Sequence, residues 1–148
     1  MAGSGTDLAQ AATDLIGAFN EADWERFRGL LAPDAVYAET GTGRRVQGAD
    51  AYLQLVQAWK DAFPDVSGTV NQTIVSGDTV AQELRWDGTH TGPMQTPAGT
   101  LEPTGRRIST EASLWSRFED GLVREVHHYL DVMMLLLQIG AIPTDSAA

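Results

Sequence analysis

The sequence predicts an α+β fold. Three N-terminal helices pack on one face of a strongly curved, mostly antiparallel sheet, and a short C-terminal helix closes the chain into a cone. Three observations carry this expectation. Apolar residues recur at helical spacing as far as Pro64. From Thr69 onward that spacing gives way to alternation. Between the last two alternating runs stands Glu119-Asp120-Gly121, a strong hairpin signal.

The elements follow in order. Leu8, Ala11, Ala12, Leu15, Ile16 and Phe19 mark one apolar face of a first helix, with Thr6 or Asp7 as its cap. A second helix fits Asp23 to Leu31, turning Trp24, Phe27, Leu30 and Leu31 inward, and Pro33 stops it. Ala35 to Glu39 reads as a short strand and Thr40 to Gly43 as a turn. Gly48 opens a third helix with Tyr52, Val56, Trp59 and Phe63 on one stripe, ended by Pro64. Thr69 to Ser76 and Thr79 to Thr89 alternate as strands around a Gly77-Asp78 turn. Gly92 to Gly105, rich in Gly, Pro and Thr, reads as a long loop or hairpin tip. Arg107 to Phe118 and Leu122 to Leu130 are the last strands, and Val132 to Ile139 is an apolar helix ended by Gly140 and Pro143. One domain over 1–148 is expected, frayed at about 1–5 and 143–148. Helices laid on a bent sheet of this size leave a cavity between the layers, where a ligand is expected.

Composition narrows the function classes. The net charge of −10 and pI of about 4.5 oppose nucleic acid and anionic membrane as partners, since both need a basic surface. With no cysteine, the chain has no disulfide, thiolate metal site or cysteine nucleophile. The first residues lack a basic and apolar leader, and Val132 to Leu137 is too short to span a bilayer, which takes about 20 residues. A cytoplasmic protein is expected. No phosphate loop or Gly-x-Ser-x-Gly elbow occurs, which disfavours nucleophilic hydrolysis.

Four segments between residues 31 and 140 carry a family resemblance. They are Leu31-Ala32-Pro33-Asp34-Ala35-Val36, then Gly88-Thr89-His90-Thr91-Gly92, then Pro103-Thr104-Gly105-Arg106-Arg107. The fourth runs from Arg117-Phe118 through Asp120-Gly121, Val123 and Glu125 to Asp131 and Leu136-Leu137-Gln138-Ile139-Gly140. Together they resemble the SnoaL-like polyketide (ester) cyclases of the NTF2-like, or cystatin-like α+β barrel, superfamily. The resemblance implies the cone fold and a homodimer. It also implies cofactor-independent acid/base chemistry: ring closure by intramolecular aldol condensation on a polyketide-like substrate, with Asp131 as the acid/base. The superfamily also holds isomerases, dehydratases, hydrolases and non-catalytic binders, so those outcomes stay open. This sequence departs from the family pattern where substrate would sit. His127 stands where Trp is common, and Tyr37 and Glu39 stand where His or Asn is common.

Alternation along the last strand places Val123, Glu125, His127, Tyr129 and Asp131 on one face and Leu122, Arg124, Val126, His128 and Leu130 on the other. If Asp131 faces the cavity, His127 and Tyr129 do too. An apolar cavity raises a carboxyl's pKa toward working pH and so makes it a usable general base. Against this, Asp131 immediately precedes the last helix and equally fits an N-cap. His127 reads either as a catalytic helper or as a half-buried structural histidine. Adjacent His127 and His128 point to opposite faces and cannot readily share an ion, so no metal site is expected. His90, between glycines, reads as a substrate contact or a turn residue. Glu111 and Trp115 share a strand face whose direction the sequence leaves open. Tyr37, Trp59, Phe63 and Trp86 are candidates for the wall of a pocket for a small apolar or aromatic substrate, or for plain core.

Overall fold

Apolar spacing builds the first helices as expected. The computed structural model describes residues 5–96 and 98–142. Helix α1 spans Gly5–Asn20, so Thr6 and Asp7 lie in its first turn rather than capping it. Helix α2 is shorter than expected, Trp24–Gly29, with the Asp23 carboxylate accepting from the Arg26 N–H at its start. Leu30 and Leu31 have already left it, and Pro33 lies inside the next strand instead of stopping the helix.

That strand, β1 (Leu31–Glu39), is followed by β2 (Arg44–Gln47), which the alternation did not announce. Helix α3 (Ala49–Ala62) ends just before Pro64, and Phe63 caps it. Strands β3 (Ser67–Ser76) and β4 (Thr79–Thr89) pair as a long hairpin. The 92–105 segment folds back as a small two-stranded flap, β5 (Met94–Thr96) with β6 (Gly99–Leu101). Strands β7 (Arg107–Glu119) and β8 (Leu122–Leu130) meet at the expected turn, where Asp120 and Gly121 both adopt positive φ, 54° and 78°. That pair of angles is what a two-residue hairpin loop requires.

Helix α4 (Val132–Gln138) is the last element among the described residues. Gly140, at φ 78°, ends it: its N–H bonds the Leu137 carbonyl and the Ala141 N–H bonds that of Leu136. This satisfies carbonyls the helix would leave orphaned. Pro143, expected to reinforce the stop, lies outside the described residues. So does the expected fraying, except at Gly5, which is helical.

Six of the strands form one curled sheet in the order β2-β1-β8-β7-β4-β3, antiparallel throughout except for β1 beside β8. Helices α1 and α3 lie across its concave face, α1 against β3 and β4 and α3 against β1. The core fills the gap with Leu15, Phe19, Phe27, Tyr52, Phe63, Leu84 and Ile139, among others. Among the described residues no helix is long and apolar enough to cross a membrane.

Of the three irregularities in the sheet, one lies between Val70 and Gln72 on β3, and the other two, in the pairing of β8 with its neighbours, bear on which side chains face the cavity. Between Leu31 and Val36, five steps of β1 answer two steps of β8, and Pro33, which has no N–H to give a ladder, sits in that stretch. Where β7 meets β8, Arg117 pairs with Glu125 but Phe118 pairs with Val123, so Arg124 of β8 is an extra residue opposite no partner. Such a bulge shifts the facing of every residue beyond it by one.

Candidate functional site

The Arg124 bulge reverses the expected facing of the last strand. Val123 and Val126 are both fully buried, so the inward residues after the bulge are Val126, His128 and Leu130. His128 is 6% exposed and reaches the space between sheet and helices, while Tyr129 is 47% exposed on the outer face. His127 also faces outward, opposite Trp115, and bonds Glu125 through Nε2 at 3.1 Å.

Asp131 takes the capping alternative. It is exposed, and its carboxylate accepts from the Met134 N–H at 3.0 Å. Glu111 and Trp115 occupy the outer face of β7 and are exposed. Asp131, His127, Tyr129, Glu111 and Trp115 are thus brought together on the outer side of the sheet and its edge, not in the cavity. His90 is buried, but behind the wall: its ring lies 5.2 Å from that of Phe63, and Thr104 holds its Nδ1 through both Oγ1 and N–H.

Inside, the sheet and helices leave an apolar cavity that opens to solvent. Tyr37, Trp59, Phe63 and Trp86 line it, together with His128 and Tyr52. Its polar chemistry converges on one wall. Glu39, 1% exposed, is the anchor. One carboxylate oxygen accepts from the Tyr37 hydroxyl and the Trp59 indole N–H, each at 2.7 Å. The other accepts from the Thr42 hydroxyl at 2.7 Å and from the Arg44 guanidinium at 3.1 and 2.8 Å. Burial pushes the Glu39 carboxyl up. The hydrogen bonds from Tyr37, Trp59 and Thr42, with the charge of Arg44, outweigh it and hold the group below its ordinary range. Glu39 is therefore a carboxylate within the wall.

The same network sets the state of His128. The Trp86 indole N–H donates to Nε2 at 3.1 Å, so that nitrogen is an acceptor. Nδ1, 2.7 Å from the Tyr37 oxygen, must then carry the proton, because the hydroxyl hydrogen of Tyr37 is committed to Glu39. A single direction of donation runs through the chain: Trp86 to His128, His128 to Tyr37, Tyr37 to Glu39. Burial pushes the His128 pKa down to about 4, against the pull of the Glu39 charge. A second proton would also set two donors, Nε2–H and the indole N–H, against each other. Burial raises Tyr37 well above the ordinary phenol range, and the Glu39 charge adds to this, so the phenol stays protonated. Tyr52 stacks on Tyr37 at 4.5 Å and fixes its ring.

A model of the SnoaL-like polyketide cyclase family matches residues 7–139. The chain belongs to that family. Solved structures agree. IdmH, a candidate polyketide cyclase from Streptomyces antibioticus, is 30% identical over 90% of this chain and 98% of its own, with a TM-score of 0.76. AclR, a candidate hydroxylase from Streptomyces galilaeus, is 26% identical over 95% and 85%, with a TM-score of 0.81. A candidate SnoaL-like polyketide cyclase from Jannaschia sp. shares the fold at a TM-score of 0.84 and 20% identity, over 94% and 95%. Among curated proteins none matches the chain. Membership of this family supports a protein that converts small molecules.

Sequence reasoning left His128 on the wrong face and named Tyr52 only as core. The signal that pointed to the buried carboxylate was Tyr37 with Glu39: two residues apart on a strand they share a face, and a carboxylate there needs partners.

Two outcomes follow. Glu39→Ala strands the Tyr37, Trp59 and Arg44 donors and should cost about 3–5 kcal/mol, read as a lowered melting temperature. Because the folded pKa of His128 is depressed, the unfolded chain takes up its proton first. Stability should therefore be complete above about pH 6.5 and fall as pH drops toward 4, by up to about 3 kcal/mol from this group. Burial also lowers His90 and contributes with the same sign. The measurement is therefore the difference in slope between the native chain and His128→Asn, which should be flatter.

Proposed function

We propose that this chain is an acid/base enzyme that closes a ring by intramolecular aldol condensation on a small, apolar or aromatic polyketide-like substrate. Its centre is His128 and Trp86 rather than Asp131. Family membership supports a small-molecule conversion. The single observation that carries the assignment is the continuous hydrogen-bond chain from Trp86 through His128 and Tyr37 to Glu39, with His128 and Trp86 both among the residues that line the cavity.

Ring closure of this kind needs a base for the proton next to a carbonyl and a donor for the oxyanion that results. Nε2 of His128 and Nε1–H of Trp86 supply one of each at a single point. In the unliganded wall they satisfy each other. A ketone entering between them would present its α C–H to Nε2 and its oxygen to the indole N–H. The proton passes to Nε2, and the C–H electron pair becomes the enolate. The enolate carbon then attacks a second carbonyl of the folded substrate, forming the new C–C bond, and the resulting alkoxide takes the proton back from Nε2.

Glu39 stays anionic throughout. Its charge, relayed through Tyr37, favours the imidazolium, and the neighbouring enolate favours it further. These effects offset the burial that makes His128 a weak base in the empty site. The apolar walls hold the two reacting carbonyl carbons together and exclude water, which would otherwise compete for the enolate.

His128→Asn should lower turnover of an aromatic polyketide ester about 10²- to 10⁴-fold. Asp131→Asn, which keeps the helix cap, should leave it near the native rate. The reverse ranking, measured by product formation with the ring-closed product identified by mass and NMR, would overturn the assignment. A homodimer formed through the outer sheet face around the exposed Trp115 and Tyr129 is also proposed. Sedimentation of the native chain should give twice the monomer mass, and Trp115→Glu with Tyr129→Glu should halve it.

A further inference from the structure

The inward row of β7 reads Ile108, Thr110, Ala112, Leu114, Ser116 and Phe118. Thr110 is the polar residue of that row that lines the cavity. It is 1% exposed, and its hydroxyl has no hydrogen-bond partner among the described residues. A buried hydroxyl in that state costs stability that a methyl group of the same shape would not. Its surroundings explain why the chain itself provides no partner. On one side Thr110 pairs with Trp86 of β4. On the other, β8 has already ended, since its last pairing on β7 is Ala112 with Leu130. The chain leaves there for α4, whose Gln138 bonds the Ser109 backbone N–H and carbonyl in place of a neighbouring strand. The Leu135 side chain of α4 closes the cavity there. Thr110 thus has an apolar helix where the next strand's side chain would lie.

We propose that Thr110 is a specificity-determining residue whose hydroxyl bonds a second oxygen of the substrate. The preferred ligand is then a flat ring compound with two oxygen functions separated by an apolar body. One oxygen sits at the His128–Trp86 pair and the other at Thr110, next to Trp86 on the neighbouring strand. This rests on the cavity being the substrate site, and it narrows the substrate class beyond an apolar or aromatic molecule. The other Oγ1 role, a bond to the protein's own backbone, is not made.

Calorimetric titration of the native chain with naphthalene, 2-naphthol, and 2,6- and 2,7-dihydroxynaphthalene tests it. The better of the two diols should bind about tenfold more tightly than 2-naphthol. Thr110→Val should lose that tenfold gain, bind naphthalene unchanged, and melt at the native temperature or above. Thr110→Ser, which keeps the hydroxyl, should retain the gain. A gain that survives in Thr110→Val overturns the role of Thr110 while leaving the cavity as the binding site. A lowered melting temperature with equal weakening of all four compounds makes Thr110 a packing residue and overturns it as well. Failure of all four to bind the native chain overturns both this role and the cavity reading. For the reaction itself, Thr110→Val should raise KM for a two-oxygen substrate and leave kcat in place, unlike His128→Asn.

Discussion

A carboxylate buried in an apolar wall is stable only if several donors converge on it. Glu39 is such a group, and much of the site depends on it. Its donors come from four places: Tyr37 on β1, Thr42 in the turn after it, Arg44 on β2 and Trp59 on α3. The interaction therefore pins the short β2 hairpin and the C-terminal half of α3 to the sheet edge. Arg44 adds a further tie, its guanidinium lying 5.2 Å from the Trp59 ring. The charge also commits the Tyr37 hydroxyl hydrogen, and this in turn fixes the His128 tautomer. One buried charge sets both the shape of the wall and the protonation state of its histidine.

The second organising feature is the two irregularities in the pairing of β8 with β1 and β7. A six-stranded sheet that curls around helices needs places where pairing slips, and bulges supply them. The extra residue at Arg124 lets Val123 and Val126 both face the core and delivers His128 rather than His127 to the cavity. The displaced side chains make a different surface. Arg117 pairs with Glu125, whose other oxygen lies 3.1 Å from His127 Nε2, in a half-buried cluster, and Tyr129 and Trp115 add apolar area beside it. Cavity wall and outer surface thus come from alternate residues of one strand, sorted by one insertion.

How much was legible in the sequence varies with the range of the interactions involved. Helix α1, the β7–β8 turn and the Gly140 stop rest on neighbours within a few residues, and their signals were clear. Helix α2 ended early because Leu30 and Leu31 satisfy a helical stripe and a strand alike, and β1 claimed Leu31 by pairing it with Val123. Strand β2 is only four residues long and polar, so no periodicity marked it; β1 draws it into the sheet. Tyr37, Trp59, Phe63 and Trp86 were recognisable as wall residues because large aromatics at inward positions must lie somewhere apolar. Asp131 was caught between two readings that local sequence cannot separate. Both need a carboxylate at a strand-to-helix junction.

By itself the sequence determined the family, the layer order of helices on a curved sheet, and the apolar character of the space between them. These follow from local periodicity and from residue types that act independently of register. Tertiary structure alone decided which histidine faces inward, which carboxylate is buried, and that Thr110 stands unpartnered beneath α4. The reason is that a strand's facing has a period of two, so one unpaired residue inverts it. Whether that residue exists is set by the neighbouring strand, not by the strand's own sequence.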